Sequence, residues 1–266
     1  MPSFLDLPRE IRDEIYKYVL FSPSGLVTPT FTPHYATLKS RRRNFTAKTK
    51  LHLLTNPHDA RNGDALIPRS QTRRPWKGKD TRTSISLALP STCRQIYHET
   101  HGLFWDNNTF YFDGLHESGR GLGIVRTLKL MGQTASRLIQ RVTIRMTSSY
   151  TEISALRKVL HTLSSRARLG HFRTLELVWE DAEFGELLHS YMESLAELVL
   201  FDTVMQDLKV GGGGGEWFER VVRVPRRPEQ EADRDAFDEV VSQMHYAVGG
   251  KMVCGGVVRW ENHVMV

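Results

Sequence analysis

The first twenty residues constrain the fold of this chain more than any other stretch, because they combine a helix start with a one-sided apolar pattern. Apolar side chains recur every four residues, at Leu7, Ile11, Ile15 and Val19. The side chains between them are mostly charged: Arg9, Arg12, Asp13, Glu14 and Lys17. Asp6 is a suitable N-cap, and Pro8 fits a first helical turn, where its missing N–H is not needed. The pattern predicts an amphipathic helix whose apolar face needs a partner, either in the rest of the chain or on another protein.

The length and composition are those of a globular protein. The chain has 266 residues, of which 40% are apolar and 25% charged, so it can bury a sizeable core as one domain or two packed ones. No run of 18 apolar residues occurs, and we therefore expect no membrane span. Cys93 and Cys254 are too few for a disulfide framework, which favours a reducing compartment, the cytoplasm or the nucleus.

Positive charge is concentrated in one stretch of the chain. Residues 39–82 hold thirteen Lys or Arg against three Asp, which gives this stretch a net charge of +10. The rest of the chain carries −4, so that the net charge of the whole chain is +6. Low apolar content and a lack of periodicity predict a basic, disordered insertion over residues 36–83. Its densest part is a basic patch: Arg41, Arg42, Arg43, Arg73, Arg74, Lys77 and Lys79. Such a patch suits a solvated loop, a nuclear-import signal, or nucleic-acid binding with Phe45 and Trp76 stacking on bases.

A second helix and a short strand are predicted after the basic stretch. Five apolar or small side chains recur at helical spacing: Leu89, Cys93, Ile96, Thr100 and Leu103. Residues 109–112 then have the composition of a strand. Because Cys93 lies on the apolar stripe of this helix, we expect it to be a core residue and not a nucleophile.

These segments together resemble a known family. The motifs Leu5-x-Leu-Pro-x-Glu-Ile11, Cys93-Arg-Gln-Ile-Tyr-x-Glu99 and Asn108-Thr-Phe110 follow one another as in the fungal F-box-like proteins of largely unknown function. The resemblance implies an F-box-like region formed by residues 1–21 and 84–112 and split by the insertion. The motif residues with an implied structural role are Cys93, Arg94, Gln95, Ile96, Tyr97, Glu99, Asn108 and Phe110.

The resemblance also implies a function, that of a non-enzymatic interaction module acting as the substrate receptor of a cullin-type ubiquitin ligase. The first helix would then dock on a Skp-type adaptor, as other helices dock in apolar grooves, through Leu5, Leu7, Pro8, Ile11 and Ile15. One alternative is that this helix is core and binds no adaptor, with polar contacts to the second helix from Arg94, Tyr97 and Glu99. Another is nucleic-acid binding through the basic patch.

The remainder, residues 113–266, repeats a short apolar template. Residues 139–144, 172–177 and 195–200 each read apolar-x-x-apolar-x-apolar, which predicts short strands. Amphipathic helices are expected between them, with one face formed by Ile153, Leu156, Val159, Leu160 and Leu163, and another by Phe184, Leu187, Leu188 and Tyr191. The fold class is therefore α+β or α/β, with F-box-like helices followed by an irregular leucine-rich-repeat-like layer or a plain α+β domain.

The end of the chain is expected to close this layer. A five-glycine loop, Gly211–Gly215, precedes a predicted strand over residues 217–224 and a charged linker over residues 225–235. A helix containing Phe237, Val240, Val241 and Met244 follows, and a last strand is predicted near residues 257–260.

No pattern in the sequence specifies a catalytic or cofactor site. The pair His98 and His101 has i, i+3 spacing, whereas a zinc-protease helix needs i, i+4. The glycines of 211–215 lack the Gly-Lys-Ser/Thr ending of a phosphate-binding loop. We therefore expect no metal, no cofactor and no enzymatic activity.

Overall fold

A computed structural model describes residues 3–34, 48–55, 84–114, 123–146, 150–192, 219–229, 231–248 and 250–255. These residues fall into two compact units, the first ending at Asn108 and the second beginning at Thr109. Both helices and strands occur in each unit, so the expected fold class, α+β or α/β, is confirmed.

The described part of unit 1 contains two helices and a small antiparallel sheet. After a 3₁₀ turn at Phe4–Asp6 come α1 (Arg9–Leu20) and three strands, β1 (Leu26–His34), β2 (Lys48–Leu54) and β3 (Ser84–Ile85). A second 3₁₀ turn, Leu89–Ser91, leads into α2 (Arg94–Asn107). In the sheet β1 pairs with β2 and β2 with β3, for example Thr30 with His52 and Leu53 with Ile85. The core of the unit includes Tyr16, Leu20, Val27, Leu53, Leu54, Ile96 and Phe104.

The sheet of unit 1 differs from the sequence prediction at two points. The sequence predicts no strand directly after α1, where Pro29 and Pro33 oppose one locally, yet this stretch is strand β1. Their four-residue spacing places both missing N–H groups on one edge of the strand and leaves the donors of the other edge intact. Strand β2 lies inside the 36–83 stretch that was expected to be disordered. It pairs with β1 and buries Leu53 and Leu54, which as consecutive residues point to opposite faces of the sheet.

Unit 2 is a layer of parallel strands connected by helices. Its elements in chain order are β4 (Thr109–Asp113), α3 (Ile124–Arg137), β5 (Arg141–Arg145), α4 (Tyr150–Arg168), β6 (Thr174–Val178), α5 (Asp181–Met192), β7 (Glu219–Val224), α6 (Glu231–Val248) and β8 (Lys251–Cys254). Each strand pairs in parallel with the next described strand of the unit. Parallel neighbours that follow chain order, each reached through a helix, form the strand–helix layer that the repeated template predicts.

The apolar template accounts for the core of this layer. Val142 and Ile144 of β5 lie in register with Leu175 and Leu177 of β6, and all four are buried. The helices bury the faces that their spacing predicts, including Leu156, Val159, Leu160, Leu163, Phe184, Leu187 and Leu188. A kink divides α3 at Gly132, where φ is +78°, a left-handed value that glycine adopts without a Cβ penalty.

The end of the chain is only partly as expected. Strand β7 lies within the predicted 217–224 segment, and Phe237, Val240 and Met244 are buried on α6. However, α6 already begins at Glu231, inside the stretch interpreted as a linker, and β8 comes at Lys251–Cys254. The strands predicted at 195–200 and 257–260, and the glycine loop 211–215, lie outside the described residues.

Candidate functional site

The start of α1 is defined by two consecutive caps. Ser3 and Asp6 form a capping box around the first 3₁₀ turn: the Ser3 hydroxyl accepts from Leu5 N at 3.3 Å, and Ser3 N donates to the Asp6 carboxylate. Pro8 is the N-cap of α1, whose first residue is Arg9. Asp6 therefore caps the turn before α1 and not α1 itself, and Pro8 precedes the first turn that it was expected to occupy.

The buried face of α1 is not the face that the periodicity indicates. Arg12, Tyr16 and Leu20 are buried, with Tyr16 and Leu20 fully inaccessible. The Phe4 ring packs against Tyr16 with the ring centroids 5.9 Å apart. A side of the helix that reads as charged in the sequence therefore faces the interior, and this is possible only if Arg12 has a partner there.

That partner is Glu99 of α2. The Arg12 guanidinium binds the carboxylate at two points, Nη2 to Oε1 at 2.9 Å and Nε to Oε2 at 3.2 Å. The Tyr16 hydroxyl donates to Oε2 at 2.6 Å, and Gln95 Nε2 donates to Oε1 at 3.1 Å. Arg9 Nη1 lies 3.1 Å from Oε1. We call these five residues the Glu99 cluster; it links α1 to α2 through charge-assisted hydrogen bonds, the strong class of such bonds.

The cluster shifts the acidity of its members. Hydrogen bonds from Arg12, and then from Tyr16, lower the pKa of Glu99 to about 2. Burial, together with the hydrogen bond to Glu99, raises the pKa of Tyr16 to about 12. The carboxylate is therefore ionised and the phenol neutral across the physiological range. A group held so firmly in one protonation state is suited to fixing structure and not to transferring protons.

Arg12 also fixes the segment in front of α1. Its Nη1 donates to the carbonyl oxygens of Leu7 at 2.7 Å and Leu5 at 3.1 Å. These are carbonyls of the 3₁₀ turn and its C-cap, which have no partner within a helix. One buried side chain thus holds α2, α1 and the Leu5–Leu7 segment in a single arrangement.

The apolar side of α1 faces outward. Leu7, Ile11 and Tyr18 are 37%, 50% and 62% exposed, and Pro8 is exposed as well. Ile11 and Tyr18 are seven residues, or two turns, apart and so lie on one face, about 140° and about 160° around the helix from Tyr16. Leu5 and Ile15 are half-buried at its margin. We call Leu7, Pro8, Ile11 and Tyr18 the exposed stripe.

Asn108 caps the C-terminal ends of α1 and α2. Its Nδ2 donates to Leu20 O at 2.9 Å and to Phe104 O at 2.7 Å, and its Oδ1 accepts from Ser22 N at 2.8 Å. The residue is fully buried. Carbonyls near the C-terminal ends of α1 and α2 are therefore satisfied by one side-chain amide.

The remaining motif residues are distributed over both sides of α2. Cys93 is exposed and is the N-cap of α2 in an extended conformation, so its expected core position is wrong: the helical spacing was counted through a residue that precedes the helix. Arg94 Nε approaches His98 at 3.5 Å, and Tyr97, 49% exposed, has its ring near His101. Of the three side chains expected at the helix junction, the described contacts bring only Glu99 to α1. Ile96 and Phe110 are buried.

A second polar arrangement lies on the sheet of unit 2 and was not predicted from the sequence. Glu176 of β6 accepts from Thr143 Oγ1 at 2.9 Å and from Arg223 Nε at 2.9 Å, across three adjacent strands. Arg145 Nη2 lies 2.9 Å from Glu180 Oε2. Alternation along β5 and β6 could have indicated that these side chains share a face, but not that they pair.

The structure tests only some of the other predictions about functional sites. The basic patch lies outside the described residues. Among the residues that the structure does describe, no group of three or more His, Cys, Asp or Glu side chains could hold a metal ion. Within the same residues, no helix combines the length and apolarity that crossing a membrane requires.

A family model matches the N-terminal half of the chain. The model of a domain of unknown function, DUF7730, matches residues 2–147. The match includes the whole Glu99 cluster, the exposed stripe and Asn108. Among curated proteins and among solved structures, none matches the chain.

Proposed function

Because the chain belongs to the DUF7730 family, whose match includes α1 and α2, we propose that this domain is a non-enzymatic protein-interaction module. In this proposal it is an F-box-like substrate receptor, and the exposed stripe of α1 docks on the Skp-type adaptor of a cullin-type ubiquitin ligase. The docking residues are those expected from the sequence, with Leu7, Pro8 and Ile11 at the centre and Leu5 and Ile15 at the margin. Such a receptor acts in the cytoplasm or nucleus.

The observation that carries the proposal is the orientation of α1. A helix that served only as core would turn Ile11 inward, because burying a fully exposed aliphatic side chain is worth about 1.5–3 kcal/mol. Instead Ile11 is half exposed, whereas Arg12 and Tyr16 are buried. This arrangement favours adaptor docking over the alternative in which the stripe is covered by the rest of the chain.

The Glu99 cluster supports the same proposal, because it prepares α1 for docking. Arg12 donates hydrogen bonds to the Leu5 and Leu7 carbonyls from the buried side of the helix. The backbone that carries the exposed stripe is therefore held in one conformation. A preorganised helix loses less conformational entropy on binding than a mobile one. The helix-in-groove mode needs such a rigid face with apolar anchors spaced by three, four or seven residues.

Leu7→Ala combined with Ile11→Ala tests the proposal directly. We expect this double variant to bind the purified Skp-type adaptor about 100-fold more weakly, since each buried anchor of an interface contributes on the order of 1–2 kcal/mol. Binding is measured by isothermal titration calorimetry on the full chain. The melting temperature should change little, because both side chains are already exposed.

The matched control replaces exposed residues of the same helix that lie away from the stripe, Glu10→Ala with Lys17→Ala. This variant should retain adaptor binding within about threefold, since exposed charges contribute little. Wild-type protein that fails to bind the adaptor would refute the proposal. So would a double variant that unfolds, because the stripe would then be core.

A further inference from the structure

One face of α2 consists of an arginine and four ring side chains. It is formed by Arg94, Tyr97, His98, His101 and Trp105, which lie within an arc of about 100° around the helix and along about 16 Å of its length. The first four of these residues are exposed, and Trp105 is half-buried at the end of the row. We call these five residues the α2 aromatic face.

The side chains of this face contact one another. The Tyr97 ring packs beside the His101 ring, with the centroids 5.3 Å apart and the planes tilted by 31°. It also meets the His98 ring edge-on, with a centroid distance of 5.7 Å. Arg94 Nε approaches His98 Nε2 at 3.5 Å. Four of the five side chains therefore form one continuous surface, and Trp105 follows one turn beyond His101 on the same side of the helix.

The positive charge of the face is not neutralised by the described residues, since Arg94 forms no ion pair with any of them. The two acidic residues of α2, Glu99 and Asp106, each follow a residue of the face by one position and so lie about 100° further around the helix. The Glu99 carboxylate is moreover bound by Arg12 of α1. An anionic partner would therefore meet no carboxylate among the five residues of this face.

Packing within unit 1 does not use this side of α2. The residues that α2 buries are Ile96, Thr100 and Phe104, whereas the Tyr97 residue is 49% exposed. Exposed rings beside an arginine are typical of surfaces that bind single-stranded nucleic acid, where bases stack on rings and cations contact phosphates.

We propose that the α2 aromatic face binds single-stranded nucleic acid, with bases stacked on the Tyr97 and His101 rings and a phosphate bound by Arg94. A guanidinium binds phosphate with paired hydrogen bonds. At about 3.4 Å per nucleotide of a stacked strand, the length of the face has room for about five nucleotides. The net charge of the chain, +6, attracts polyanions at longer range. The inference concerns α2 alone and holds whether or not α1 docks on an adaptor.

An acidic protein segment fits this face less well than a nucleic acid strand does. Its carboxylates would pair with Arg94, but acidic side chains have no flat surface that covers the rings of Tyr97 and His101. Every base has a π face, and its stacking on an aromatic side chain depends little on sequence. The combination of rings with a cation therefore favours a strand that presents both bases and phosphates.

Fluorescence anisotropy of labelled 12-nucleotide strands on the full chain tests the proposal. The probes are oligo(dT), oligo(U) and a 12-residue peptide rich in Asp and Glu. We expect the wild type to bind at least one of the strands, and Tyr97→Ala with His101→Ala to weaken that binding at least tenfold, because stacking on both rings is lost. The comparison of the two strands identifies DNA or RNA as the preferred ligand.

Two single variants distinguish stacking and phosphate contact from a structural role. Tyr97→Phe keeps the ring and should retain affinity within about threefold, because the base still has a π face to stack on. Arg94→Gln should weaken binding and lower the slope of log affinity against log salt concentration by about one, because one phosphate contact is lost. A purely structural role of Arg94 would leave that slope unchanged.

The matched control removes the same residue types from α6, His245→Ala with Tyr246→Ala, both of which are exposed. Affinity should change less than about threefold, because the control keeps the rings that stack. If the α2 double variant does not fold, as judged by circular dichroism, Tyr97→Leu with His101→Gln replaces it. Three results would overturn the proposal: neither strand binds, the α2 variant binds as tightly as the wild type, or the acidic peptide binds more tightly than both strands and depends on Tyr97.

Discussion

At the scale of single residues, Glu99 determines the conformation of the N-terminal unit. Three side chains donate hydrogen bonds to its two carboxylate oxygens, and Arg9 adds an ion pair. Of these partners Arg12 and Tyr16 are buried. A buried cation without an anion is strongly unfavourable, so Arg12 can face inward only because Glu99 meets it. The outward position of Ile11 therefore depends on a carboxylate that lies 87 residues further along the chain than Arg12.

Replacing Tyr16 by Phe should reveal how much the phenol contributes. The substitution removes one hydrogen bond to a charged acceptor and leaves the ring packed against Phe4, so we expect a loss of about 1.5–3 kcal/mol in the free energy of unfolding. The measurement is chemical denaturation followed by circular dichroism. Tyr97→Phe is the control: its ring is half exposed, and a cost below about 0.5 kcal/mol is expected. Equal effects of the two substitutions would contradict the assigned role of Tyr16.

Asn108→Asp is the sharpest single-residue test of the helix ends. The shape of the side chain is kept, but two donated hydrogen bonds become contacts between carboxylate and carbonyl oxygens in a fully buried place. We expect a loss of about 3 kcal/mol or more, because each orphaned buried acceptor costs about 1–3 kcal/mol. Asn107→Asp, which loses one half-exposed bond to Leu103 O, should cost about 1 kcal/mol. Thermal and chemical denaturation of both variants would measure the contrast, and similar losses would argue against the double cap.

The sequence indicates some of these residues but not what they do. The motif match singles out Glu99 and Asn108, yet their partners on α1 are more than 80 residues away, and nothing local encodes that distance. Arg12 reads as a surface charge because periodicity assumes that the apolar stripe faces inward. That assumption fails here because a paired guanidinium can replace an aliphatic side chain inside unit 1.

At the scale of elements, the regular part of unit 2 follows from its apolar template. Strands β5 and β6 fall where Val142, Ile144, Leu175 and Leu177 alternate with polar residues, because successive side chains of a strand point to opposite faces and only one face here is apolar. Strand β1 was missed because its two prolines oppose a strand locally. Its pairing with β2 outweighs that local preference, as tertiary context generally does for strands.

Gly250→Ala tests how closely the last two strands of the layer approach. A Cβ at this position would lie 2.5 Å from Arg220 O and 2.7 Å from Arg220 Cβ, and backbone atoms cannot yield as a side chain can. We expect a loss of about 1–3 kcal/mol, typical of overpacking. The control is Gly185→Ala in α5, where a Cβ meets nothing within 4 Å and helix propensity predicts a gain of about 0.5–1 kcal/mol. Chemical denaturation should give opposite signs; a neutral Gly250→Ala would show that β8 is held more loosely.

At the scale of the whole molecule, the two units are stabilised by different kinds of contact. Unit 1 depends on a few polar residues that connect elements distant in the chain, whereas unit 2 repeats a local strand–helix step. The family match covers residues 2–147, which is all of the described part of unit 1 and the first strands of unit 2. The sequence predicts the repeating unit better, because the information that specifies it is local. In unit 1 the sequence predicts helices α1 and α2, but not strands β1 and β2 or the buried face of α1.

Stability against acid should therefore depend on the Glu99 cluster. The pKa of Glu99 is lowered from an ordinary value of 4.5 to about 2 in the folded protein. Its contribution is accordingly complete above about pH 4.5 and is lost as the pH falls toward 2, because the unfolded chain then binds the proton more readily. The wild-type protein and Glu99→Gln should differ in free energy of unfolding by a constant amount from pH 7 to 5, and this difference should shrink toward zero near pH 2. Guanidinium denaturation at each pH measures it, with two transitions fitted if the units unfold separately. A difference that persists unchanged at pH 2 would mean that the Glu99 charge does not hold α1 to α2.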